Sequence, residues 1–138
     1  MYEQKLFNEK LDEIRKNMIL ELQHGWGHMY AGYAGIIITN NKEVYEYQYY
    51  CRLPKDFGEE EIYIKKIKDL NEDEFKKISS FIENEIISKE FTDKVIFDAN
   101  YTVVVNINGI SKTIKNNKGY GDNLGLYDIT EKLLNEIV

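Results

Sequence analysis

Apolar residues recur along this chain at two periods, and the switches between them mark out the elements. Phe7, Leu11, Ile14 and Met18 are spaced four, three and four apart, which predicts a helix over residues 3–19 with one apolar stripe. The β-branched run Ile36, Ile37, Ile38 predicts a short strand, and Thr39-Asn40-Asn41-Lys42 after it reads as a turn. Residues 44–53 then alternate. Tyr45, Tyr47, Tyr49, Cys51 and Leu53 face one way, and Glu46, Gln48 and Arg52 the other, as in a half-buried antiparallel strand. A loop, PKDFGEE, leads to a further strand at 61–70 with Ile62, Ile64 and Ile67 inward.

The next helix carries its own start signals. Asn71 suits an N-cap, Glu74 stands three residues on as a capping box requires, and Leu70 with Phe75 has the spacing of a hydrophobic staple. Phe75, Ile78, Ile82 and Ile86 carry the stripe on to about Lys89. Residues 95–98 begin another strand. Beyond them, Asn108-Gly109 between apolar runs predicts a hairpin in which Ile107 faces Ile110 and Val103 faces Ile114, on the core face with Tyr101 and Val105. Leu126, Ile129, Leu133 and Ile137 give a closing helix over 126–137. The pattern predicts an α+β fold over 1–138 as one domain. Its sheet is mainly antiparallel, of five to six strands, with three helices packed on one face.

Charge narrows the choice of partner. The formal net charge is -6, which opposes DNA, RNA and anionic membrane, since these need a positive field. It suits a basic protein partner. Asp56, Glu59, Glu60, Glu61, Asp69, Glu72, Asp73 and Glu74 crowd into one stretch with three lysines. The lone Cys51 fits a reducing compartment, no signal peptide or membrane span is legible, and the cytoplasm is the expected location.

The stretch QHGWGHMYAGYAG, residues 23–35, holds both histidines, the only tryptophan and several glycines. As a metal motif it is weak. His24 and His28 are four apart, but Gly25 and Gly27 oppose a helix, and no third ligand is near in sequence. GWGHMYAG lacks the Lys-Ser/Thr ending of a phosphate loop. Read as a strand, it puts His24, Trp26, His28 and Tyr30 on one face, and its glycines allow another element to approach closely. Cys51 with a histidine and Asp98 is the one conceivable nucleophilic set, and its place on an apolar strand face argues for a buried thiol.

The sequence therefore points away from catalysis, with no metal or cofactor expected. The leading expectation is a protein-binding domain that inhibits a toxin or defence effector, as an immunity protein, antitoxin or phage counter-defence factor would. Its contact set is Tyr45, Tyr47, Tyr49, Tyr50, Asp56, Glu59, Glu60 and Glu61, since exposed tyrosines dominate interface hot spots and acids steer a basic partner. A rival expectation is a small-ligand or enzymatic site built from His24, Trp26, His28, Tyr30, Asp98 and Tyr101. A third is a homodimer paired through strands or tyrosine faces.

Overall fold

The stretch that interrupts the helical pattern supplies two strands. In the computed structural model, which describes residues 2–26, 30–52, 61–92, 99–119 and 122–138, helix α1 (Tyr2–Arg15) turns directly into strand β1 (Met18–Trp26). Strands β2 (Tyr30–Thr39), β3 (Glu43–Arg52) and β4 (Glu61–Asp69) follow. Then come helix α2 (Glu72–Phe81), a π-helical segment (Ile82–Ile87), strands β5 (Ala99–Ile107) and β6 (Ile110–Lys115), and helix α3 (Leu126–Ile137). The expected α+β class holds. All six strands form one antiparallel sheet in the order β4-β3-β2-β1-β5-β6. The strand expected at 95–98 lies outside the described residues.

Local chemistry explains the boundaries. At α2 the Asn71 side chain accepts from the Glu74 amide at 2.8 Å, and the Glu74 carboxylate accepts from the Asn71 amide at 3.1 Å. This is the capping box anticipated above, and it satisfies two donors that a helix start would otherwise leave open. Asn108 and Gly109 both take positive φ, 52° and 77°, as a two-residue hairpin turn of the favoured twist requires. Ile107 pairs with Ile110 and Val103 with Ile114, as predicted. The helix over 71–89 widens into π geometry after Phe81. There the Lys112 ammonium reaches across from β6, donating to the Ile86 carbonyl at 2.9 Å and to that of Lys89, so it caps carbonyls that the helix end leaves open.

The helices do not share one face. Leu20, Leu22, Ile38, Val44, Val103 and Val105 meet α2, the π-helical segment and α3 through Ile78, Ile82, Ile86 and Leu134. Ile37, Tyr47 and Tyr49 point to the opposite face and pack under Phe7 and Leu11 of α1. The reason is the double apolar character of the strands. Ile36, Ile37 and Ile38 are consecutive, so both faces of β2 carry large apolar side chains, and both need cover. Helix α3 is also rotated from the expected stripe. Leu126 and Ile137 are buried as expected, but with Tyr127, Thr130 and Leu134, whereas Leu133 is half-buried and Ile129 is 40% exposed. Asp128 sets this angle. Its carboxylate accepts from the Gly119 amide at 2.6 Å and the Gly125 amide at 2.9 Å, while Asn117 caps the Leu126 amide at 2.7 Å. No described helix is long and apolar enough to cross a membrane.

Candidate functional site

A buried polar cluster lies on one face of the sheet and an open polar groove on the other. Beneath α1, Glu21 is 4% exposed. Arg15 holds it with two parallel bonds, Nε to Oε1 at 2.8 Å and Nη2 to Oε2 at 2.7 Å. The Tyr47 hydroxyl donates to the same carboxylate and accepts from Gln23 at 2.9 Å. Burial, and then the Glu21 charge, push the Tyr47 phenol well above its ordinary range, so it stays a neutral donor. Every partner in this cluster is matched, and it fastens α1 to the sheet.

Tyr47 and Tyr49 are therefore not surface residues. Tyr47 is fully buried, and Tyr49, 8% exposed, stacks on Tyr33 with ring centres 5.6 Å apart. Their proposed role in a partner contact is corrected. Alternation placed them on one face correctly, but α1 covers that face. Tyr45 is half-buried. Only the backbone is described at Tyr50 and Glu61, and Asp56, Glu59 and Glu60 lie outside the described residues.

The other face is open beside α3. A groove of about 240 Å³ runs between this helix and strands β1 to β4. Leu22, Ala34, Ile36 and Leu134 make its apolar lining. Glu46, Gln48 and Tyr63 line it from the sheet, and Tyr127, Glu131 and Asn135 from the helix. The helix spacing explains the second group: positions 127, 131, 134 and 135 fall on one side of α3. Small residues explain the depth, since Ala34 fills little space above β2. Gly35, next along, serves the opposite face, where the Tyr47 hydroxyl occupies the place a Cβ would take, at 2.6 Å. The paired small residues of YAGYAG thus admit a ring below the sheet and leave a hollow above it.

No known family model, curated protein or solved structure matches the chain.

Polar contacts hold the groove's walls. Tyr63 donates to Glu46 at 3.1 Å, and Lys65 lies 3.6 Å from the same carboxylate. His24 Nδ1 is 3.4 Å from the Tyr127 hydroxyl. Tyr101 meets the Tyr127 ring edge-on at 4.8 Å, and the Lys118 ammonium sits over both rings while pairing with Asp128 at 3.1 Å. Burial lowers the His24 pKa. Glu131 pulls it back up and Lys118 pushes it further down. Burial and then Glu131 raise the Tyr127 phenol above its usual range. At neutral pH the groove thus presents neutral imidazole and phenol groups between carboxylates.

Of the rival ligand set, the structure joins His24 to Tyr101 as a cross-strand pair. Only the backbone is described at Trp26 and Tyr30, and His28 and Asp98 lie outside the described residues. The two rival sets nonetheless converge. Trp26 pairs with Gly32 and Ala99, Tyr30 with Arg52, and Tyr50 with Glu61, which brings these backbone positions to one end of the sheet. Sequence reasoning missed Glu46, Tyr63, Tyr127 and Glu131. The alternation at 44–53 already put Glu46 and Gln48 opposite the buried tyrosines, and that was the available signal.

The lowered His24 pKa has a measurable consequence. Unfolded, this imidazole takes a proton near pH 6.5, more readily than in the folded chain. Its neutral burial therefore stabilises the fold above that value and loses effect as pH falls through it. Urea midpoints of wild type and His24→Gln should converge as the pH drops from 7.5 to 5.5. Parallel curves would refute the assignment.

Proposed function

We propose that this chain is a non-catalytic domain that binds and inhibits a basic protein in the cytoplasm, in the manner of an immunity protein, antitoxin or counter-defence factor. The observation that carries the reading is the groove beside α3. It offers carboxylates from two different elements, Glu46 and Glu131, beside tyrosines and an apolar lining. The chain's net charge of -6 acts in the same sense at longer range. Acidic surfaces speed encounter with basic partners and exclude nucleic acid from the same site. A toxin that acts on nucleic acid is itself basic where it holds phosphate, so an acidic cover on that cleft blocks it.

Capture from lysate with graded salt elution tests this, run with wild type beside a Glu46→Lys/Glu131→Lys variant. The expected result is a basic protein retained by the first, released by salt, and lost from the second. Equal retention by both would remove the groove from the interface. Retention of nothing by either would favour the small-ligand reading, which the presence of His24 and Tyr127 in the same groove supports. Light scattering on the free chain separates out self-association.

A further inference from the structure

We infer that the groove is a socket for one arginine side chain of the basic partner, a reading that rests on the protein-binding function proposed above. Four features of the groove lead to this. Its volume of about 240 Å³ is on the scale of one long side chain rather than a peptide segment. Leu22, Ile36 and Leu134 give an aliphatic stem an apolar bed. Glu131 on α3 makes no ion pair among the described residues, and Glu46 faces the same hollow from β3, accepting from Tyr63 at 3.1 Å with the exposed Lys65 at 3.6 Å. Tyr63, half-buried on β4, lines the hollow from the sheet side, and the Lys65 ammonium already rests 4.9 Å from its ring centre, a cation on that ring in the free chain.

Arginine fits this set better than lysine does. Its planar guanidinium has five donors in a fixed fork, so one head group can serve two carboxylates while stacking on a tyrosine. An ammonium is a compact, strongly hydrated point charge and loses more water on entering. The charged neighbours support entry. Lys118 is engaged by Asp128 and the rings of Tyr101 and Tyr127, and His24 is neutral at pH 7.

The test is titration of the full chain with N-acetyl-arginine methylamide, followed by calorimetry and by shifts of the His24 and Tyr127 resonances. The lysine and citrulline analogues and agmatine are run alongside. The arginine probe is expected to bind about tenfold tighter than uncharged citrulline and several-fold tighter than lysine. Glu131→Gln should weaken it about threefold, as should Glu46→Gln. Glu136→Gln, five residues beyond Glu131 on α3 and paired with Lys77, should leave it unchanged.

Citrulline binding equal to arginine, or indifference to both groove variants, overturns the socket. So does lysine equal to arginine. Agmatine binding far tighter than the capped residue would make the occupant a small metabolite, which also overturns it. The two readings fail separately. If the arginine probe is refused while Glu46→Lys/Glu131→Lys still abolishes capture of a basic protein, the socket falls and the function stands. If the probe binds through Glu131 but no protein is retained, the groove's preference for arginine stands, while the inhibitor reading and the assignment of that arginine to a protein partner fall together.

Discussion

Glu21→Ala is expected to lower the unfolding free energy by about 2–4 kcal/mol. The carboxylate is buried and accepts from three donors: Arg15 Nε, Arg15 Nη2 and the Tyr47 hydroxyl. Its removal leaves a guanidinium without its counter-charge and a buried phenol without its acceptor. The loss stays below the upper range for broken buried pairs because the Arg15 side chain is 33% exposed and water recovers part of its solvation. Urea unfolding at pH 7 measures it. Tyr47→Phe removes one arm of the same cluster and should cost about 1–3 kcal/mol. The double variant should lose less than the sum, since the two side chains share one bond. A loss under about 0.5 kcal/mol for Glu21→Ala would mean that the cluster does not hold α1 to the sheet.

Gly35→Ala is expected to have the second-largest effect, about 2–3 kcal/mol, or a fall in melting temperature of roughly 5–15 °C. A single methyl group there would lie 2.5 Å from the Leu22 carbonyl and 2.6 Å from the Tyr47 hydroxyl. Neither neighbour can yield freely. The carbonyl belongs to β1, which is paired on both sides, and Tyr47 is fully buried beneath α1. The ring must leave Glu21, or the strands must part. Combining Gly35→Ala with Tyr47→Phe should recover only part of the loss, because the Leu22 carbonyl still stands in the way. Full recovery would place the whole clash on the hydroxyl. An unchanged melting point for Gly35→Ala would refute the close packing.

The fold was legible where local chemistry and burial agree. Asn71 with Glu74, and Asn108 with Gly109, fix backbone geometry through bonds that span a few residues, so the start of α2 and the β5–β6 hairpin could be read directly. The choice of face was less legible. Alternation put Tyr47 and Tyr49 together but did not say which layer covers them, because that depends on where α1 returns. Helix α3 shows the same limit. The expected stripe Leu126, Ile129, Leu133, Ile137 and the buried set Leu126, Tyr127, Thr130, Leu134, Ile137 share their ends, and both have helical spacing. Asp128, held by the amides of Gly119 and Gly125, chooses between them. The groove was hidden for a related reason. It needs α3 to bring Tyr127 and Glu131 over Ala34 and Glu46, residues about 90 positions away in the chain.

Neighbours in the sheet are neighbours in the chain everywhere except at one seam. Strands β4-β3-β2-β1 form a meander and β5-β6 a hairpin, and only β1 against β5 joins them, from Leu20 with Val105 to Trp26 with Ala99. The meander and the hairpin can each assemble from local contacts on a fast timescale. The seam must close a loop that includes β2, β3, β4 and α2 before its pairing repays the lost chain entropy. Folding speed in this protein should therefore be governed at β1 and β5, and a lesion there should slow refolding more than an equally costly lesion in either flank.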